Sequence, residues 1–278
     1  MIKRILVGVD GSEHAAAALS HALWLGKRLD ATVSGIHIVD IVSIEGSFFH
    51  DISGSLGFEP YLDFTAKMRS ALQDRGRTLL ESFERQCEAA GVRHDSKLTI
   101  GVIASELCDG AREADLLVLG HRGTNARFTT GLLGSVAESV TRQCSRPVLM
   151  TPVSFAEVKS PLLAWDGSER ASGAMHEAAN LCTALSLPLT VLTVAREQEE
   201  GEEIVEQARR YLSSYSINVT YNIKAGQAGE QIPACLKEDG HDLIFMGSHG
   251  QSRILEWVLG STTEFVLRNV GCPVFLSR

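Results

Sequence analysis

The chain has 278 residues, 44% hydrophobic and 22% charged, the length of one large domain or two ordinary ones and the composition of a soluble globular protein. A net charge of −8, from 34 acidic and 26 basic residues, argues against a nucleic-acid-binding surface, which needs a basic stripe. No apolar run reaches transmembrane length, and Met1 to Val7 reads as a strand opening with no leader-like segment. In chain order, Ile5–Val9 is a continuous apolar run, as in a strand buried on both faces. Ala15–Leu29 has helical spacing, with Leu19, Ala22, Leu23 and Leu29 on one side. Thr32–Val39 reads as a second strand and Lys67–Ala90 as a long helix stopped at Gly91. Lys97–Ile100, Leu116–Leu119 and Val148–Thr151 follow as strands, separated by helices at Ser105–Ala114 and Ser135–Cys144.

The same series then begins again. Asp10-Gly11-Ser12 after the first strand returns as Asp166-Gly167-Ser168. Asp115 to Gly120 returns as Asp242 to Gly247, Gly134-Ser135 with Glu138 as Gly260-Ser261 with Glu264, and Pro147-Val148 as Pro273-Val274. Four matches in one order mark a duplication. We expect one unit over residues 1–153, a joint between Val153 and Ser160, and a second unit over 160–278. Strands alternating with helices predict an α/β fold. Each copy should be an open five-stranded parallel sheet, Rossmann-like, with helices on both faces. Ligands of such sheets bind beyond the carboxyl ends of the strands.

The loop after the fourth strand carries the chemistry. Copy two reads Gly247-Ser-His-Gly250, nine residues, then Gly260-Ser261. Glycines there let backbone N–H groups form an anion nest, and a helix start at Gly260-Ser261 would add its own free N–H groups. Ser261 and Glu264 have capping-box spacing. The plainer reading is that these glycines only turn the chain and cap a helix. Copy one has ten residues between Gly123 and Gly134 and His121-Arg122 in place of Ser248-His249. The extra residue could bulge harmlessly or spoil the nest.

The G-x2-G-x9-G-S pattern, the Asp-Gly-Ser after the first strand and the closing Cys272-Pro273-Val274 resemble the universal stress protein family, in its tandem form, over nearly the whole chain. The resemblance implies an adenine nucleotide, ATP or a relative of it, with or without Mg, as ligand or switch of a stress-response or regulatory protein. It implies contacts from Asp166, Val194, Met246, Gly247, Gly250, Gly260, Ser261 and Thr262 in copy two. In copy one it implies Asp10, Ile38, Leu119, Gly120, Gly123, Gly134, Ser135 and Val136. It also implies that the copies pack as an internal pseudo-dimer through Val148–Thr151 and Val274–Ser277, with further homodimerisation open. For Asp10 and Asp166 the alternative role is to N-cap the following helix.

Other signatures do not appear. There is no P-loop lysine motif, no G-x-G-x-x-G and no G-x-S-x-G elbow, and His176-Glu177-Ala-Ala-Asn180 misses the second histidine of a zinc-protease helix. His37, His50, His94, His121 and His249 are scattered, so no metal site and no catalytic set is assigned, and slow ATP hydrolysis or adenylylation is the enzymatic alternative. Six dispersed cysteines without a C-x-x-C pair read as buried free thiols of a reducing compartment, hence a cytoplasmic protein. Copy one is longer between Thr32 and Gly101 than copy two between Thr190 and Gly226. The extra stretch, around 41–64, interleaves Phe48, Phe49, Phe58, Tyr61 and Phe64 with glycines. It is expected to pack as a lid, or to offer a hydrophobic ligand or a protein partner a surface.

Overall fold

A computed structural model describes residues 1–40, 58–123, 134–248 and 260–277. Copy one runs β1 (Arg4–Gly8), α1 (Glu13–Leu29), β2 (Thr32–Asp40), α2 (Phe58–Ala90), β3 (His94–Gly101), α3 (Ile103–Ala111), β4 (Leu116–Gly120), α4 (Ser135–Gln143) and β5 (Val148–Thr151). Copy two repeats it as β6 (Pro161–Ala164), α5 (Glu169–Leu185), β7 (Leu189–Ala195), α6 (Gln198–Leu212), β8 (Val219–Ala225), α7 (Ala228–Glu238), β9 (Leu243–Gly247), α8 (Ser261–Asn269) and β10 (Val274–Ser277). The sheet of each copy is parallel, and the two join into one ten-stranded sheet of order β3-β2-β1-β4-β5-β10-β9-β6-β7-β8. The join is antiparallel, with Val274 opposite Met150, Phe275 opposite Leu149 and Leu276 opposite Val148.

The apolar runs of the central strands are explained by burial on both faces. Alternate residues of a strand point to opposite faces. Ile5, Val7, Leu116, Val118, Leu149, Leu163 and Phe275 therefore enter one core, with residues of α1, α2, α5 and α6. Leu6, Leu117, Leu119, Met150, Leu162, Leu276 and residues of α3, α4, α7 and α8 make the other. Both cores cross the seam between the copies. The six seam residues of β5 and β10 are all at most 4% exposed. At ~1.5–3 kcal/mol for each buried large side chain, parting the copies would forfeit on the order of 10 kcal/mol. The pairing of the two last strands is thus what the expected pseudo-dimer required.

Asp115 and Asp242 recur for a structural reason. Asp115 accepts hydrogen bonds from Lys3 N (2.7 Å) and Arg4 N (3.0 Å), and Asp242 accepts from Lys159 N (2.7 Å) and Ser160 N (2.9 Å). Each carboxylate fastens the start of the first strand of its copy to the start of the fourth.

Two expectations change. α2 begins at Phe58, nine residues before Lys67, so the end of the 41–64 insert is helical; residues 41–57 lie outside the described residues, as do the side chains of 58–65. Register pairs Leu6 with Ser34 and Leu162 with Thr190, so Ser34, and not Thr32, is the counterpart of Thr190. The two copies align through their left-handed helix ends, Asp30 (φ 51°) and Ser186 (φ 56°), which composition alone does not mark. Of the cysteines, Cys87, Cys144, Cys182 and Cys235 are buried, Cys108 and Cys272 half-buried, and all six are free thiols, as expected. No helix of the described residues is long and apolar enough to cross a membrane.

Candidate functional site

Those expected site residues that the structure describes lie at the carboxyl ends of β1, β2 and β4 and the start of α4 in copy one, and at the carboxyl ends of β6, β7 and β9 and the start of α8 in copy two. After β1 the chain turns at Gly11, whose φ of +79° only glycine adopts cheaply; Gly167 does the same at +76°. Within each turn an aspartate oxygen accepts from the serine two residues on: Asp10 Oδ1 from Ser12 N at 2.8 Å, Asp166 Oδ1 from Ser168 N at 3.0 Å. The aspartates do not cap the helices. Ser12 and Ser168 are the N-caps, each accepting at 3.1 Å from Ala15 N and Ala171 N. A hydroxyl can reach the N3 amide from the cap position, while the carboxylate two residues earlier closes the turn. The second oxygen of Asp10 faces the loop after β4: a Cβ on Gly123 would sit 2.8 Å from Asp10 Oδ2.

β4 and β9 end on glycines for want of space. A Cβ on Gly120 would lie 2.6 Å from His14 Cβ and 2.9 Å from the His14 carbonyl. On Gly247 it would lie 3.0 Å from the Arg170 carbonyl carbon. The first turn of α1 or α5 thus rests directly on the end of the fourth strand. Beside them, Leu119 and Met246 are buried in the core, and Ile38 and Val194 pack against it from β2 and β7.

The loops then close on themselves. Gly134 N donates to His121 O at 3.0 Å, and Gly260 N to Ser248 O at 3.4 Å. A Cβ on Gly134 would stand 3.3 Å from Arg122 Cα and 3.8 Å from Gly123 N, so the start of α4 abuts the turn after β4. Gly134 and Gly260 are the N-caps of α4 and α8, and neither helix has a side-chain cap. This corrects the capping box. Ser135 and Ser261 are first helical residues, and Glu138 and Glu264 instead pair with Arg142 and Arg268 one turn on. A glycine cap brings no oxygen, so the first N–H groups of α4 and α8, from Ser135-Val136 and Ser261-Thr262, have no partner within the helix or from a cap side chain. Such an end presents several donors and about half a positive charge to an anion. Gly250 lies outside the described residues, as do 124–133 and 251–259, and with them the spacing difference between the loops.

Two residues next to this frame escaped sequence reading. His14 and its counterpart Arg170 occupy the first turn of α1 and α5, against the glycines that end β4 and β9. In copy one His14 neighbours His121; His14 Nδ1 and His121 Nε2 are buried without a hydrogen-bond partner among the described residues. Burial, then His14 and Arg122, push the His121 imidazole down to about 4. His14 is lowered too, by burial and then Arg122, with Asp10 and Glu13 opposing. Both rings are neutral at pH 7. Copy two has Arg170 and Ser248 in their places. The available signal was the two-residue spacing from each N-cap serine, which puts position 14 or 170 on the turn facing strand four.

The fold defines a duplicated, doubly wound α/β protein with a matching glycine-and-aspartate frame at the carboxyl edge of each half-sheet. Residues 1–152 and 159–278 each match the model of the Universal stress protein family. The chain belongs to that family, in its tandem two-domain form. It is 28% identical over 287 residues to a universal stress protein of Synechocystis sp., covering 100% of both chains. It is 25% identical over 300 residues to one of Mycobacterium tuberculosis, covering 99% of this chain and 96% of the other. The fold matches a crystal structure of a universal stress protein from Archaeoglobus fulgidus with a TM-score of 0.79, at 22% identity, over 99% of this chain and 98% of that one.

Proposed function

We propose that the chain binds an adenine nucleotide at the carboxyl edge of each half-sheet and uses it as a ligand or switch, not as a rapidly consumed substrate. The observation that carries this reading is the uncapped start of α4, held within a few ångströms of Gly123 N by the Gly134–His121 hydrogen bond. Free helix amides and turn amides side by side are the kind of donors that bind an anion. Asp10, whose Oδ2 faces Gly123, would accept from a ribose hydroxyl, and Asp166 closes the matching turn in copy two. Ile38 and Val194 offer strand-end peptide groups to the base. The phosphates then meet backbone donors, with Mg to offset the remaining charge.

Mass spectrometry of small molecules retained on purification, followed by calorimetric titration with ATP, tests the reading. We expect a retained adenine nucleotide or saturable ATP binding. Gly123→Val, which drives a side chain onto Asp10, should weaken the copy-one site by roughly 30-fold, the worth of one or two charge-assisted hydrogen bonds. Absence of any ATP binding by the intact chain would refute the proposal.

A further inference from the structure

We infer that copy two carries a divalent-metal site, made by Cys235, Asp239 and His241 at the carboxyl end of α7, suited to zinc. Cys235 Sγ, a carboxylate oxygen of Asp239 and a ring nitrogen of His241 lie within 4.8 Å of one another. Cys235 and Asp239 are one helical turn apart, with Sγ 3.2 Å from Asp239 Oδ2. Gly240, at φ +69°, then reverses the chain, and His241 N donates to Leu236 O at 3.0 Å, which swings the imidazole back against the helix end.

The histidine is set up as a ligand. Its Nδ1 lies 3.1 Å from the Ser160 carbonyl oxygen and 3.0 Å from Ser160 Oγ. The carbonyl can only accept, so the proton sits on Nδ1 and the lone pair on Nε2. Metal-bound imidazoles are commonly oriented in this way, through the second nitrogen. His241 Nε2 is buried with no hydrogen-bond partner among the described residues. A buried acceptor left empty costs free energy, and an unplaced ion or water is a standard explanation.

The surroundings favour a cation. The last carbonyls of α7 present the negative end of the helix dipole. Lys224 stands nearby, but its ammonium is paired with Glu238 at 3.3 Å, which blunts its repulsion. Cys235 is fully buried while Asp239 is exposed, so the metal would enter past the carboxylate. One thiolate, one imidazole and one carboxylate form a mixed soft and borderline donor set, which suits zinc with its fourth position left to water. On binding, the Cys235 S–H bond breaks, the proton leaves to solvent, and the sulfur pair forms the metal bond. Copy one has Gly110 and Ala114 at the positions matching Cys235 and His241, so the site belongs to copy two alone. By seizing His241, hydrogen-bonded to Ser160, the metal would pin the end of α7 to the start of β6.

The test is titration of the reduced, chelator-stripped chain with Co2+, then Zn2+. We expect one equivalent of Co2+ to produce a near-ultraviolet sulfur-to-cobalt band with tetrahedral visible bands, and Zn2+ to erase both and raise Tm. Cys235→Ser should abolish the sulfur band. His241→Gln should weaken binding by about 100-fold or more and Asp239→Asn by about tenfold, the latter on an exposed residue that leaves folding intact. If Cys235→Ser fails to fold, the two other variants decide. A wild type without the sulfur band, a band that survives Cys235→Ser, or unchanged affinity in both other variants overturns the site.

Discussion

The two clefts share a backbone and differ in side chains. Both have a glycine turn after the first strand, an aspartate closing it, a glycine under the first turn of the next helix, and a glycine-capped helix start. Copy one then places neutral, half-buried His14 and His121 beside the frame, while copy two places Arg170 and Ser248 there. The comparison teaches which parts of the cleft are steric. Where a Cβ would strike backbone or a carboxylate, both copies keep glycine. Where only a side chain's charge is at stake, they diverge. On the proposed reading, both copies would hold the same ligand while one of them responds to pH.

The largest effect should come where the copies meet. Phe275 and Leu149 are counterparts in the duplication and also face each other across the seam. Phe275→Ala should cost about 4 kcal/mol and Leu149→Ala about 3 kcal/mol, read as shifts of urea midpoint. Midpoints unchanged in both would mean that the seam is not a shared core.

Next come the glycines beneath the helices. Gly120→Val collides with His14 at 2.6–2.9 Å, Gly247→Val with the Arg170 backbone at 3.0–3.1 Å. We expect losses of about 3 and about 1 kcal/mol in the same unfolding assay. The reverse order would show that α5 yields less than α1.

The third prediction uses His121. Its folded value of about 4 lies below the ordinary 6.5. Between these values the unfolded chain takes up a proton that the folded chain refuses. Stability is therefore whole above about pH 6.5 and falls as the pH drops towards 4, by up to about 3 kcal/mol. His121→Asn should flatten this slope in urea titrations between pH 7 and 4.5. A variant as acid-sensitive as wild type would remove His121 from the account.

The smallest effect separates the clefts most sharply. A phosphate near His121 would raise its pKa, so copy-one affinity for ATP should grow by roughly threefold between pH 7 and 5.5. Titration of ATP's own phosphates acts on both clefts alike. Calorimetry on Gly250→Val, which leaves copy one, and Gly123→Val, which leaves copy two, isolates the difference. Equal pH profiles in the two variants would mean that the histidines do not face the ligand.

The amino-acid sequence by itself determined the duplication, the alternation of strands and helices, and the glycine and aspartate positions of both clefts. These are local: apolar runs, caps and turns depend on residues a few positions apart. Even so, local reading took Ser261 as a cap where Gly260 is, because a glycine cap leaves no side-chain signature. The family resemblance implied that the last strands meet; only the tertiary structure decided their antiparallel register, that Ser34 matches Thr190, and that His14 lies beside His121. It also joined Cys235 and Asp239 to His241, which Ser160 orients from across the start of β6. Those facts rest on contacts between segments far apart in the chain, as from His14 to His121 or from Val148 to Leu276. No pattern within one helix or strand carries such contacts, because packing, and not periodicity, selects the partner.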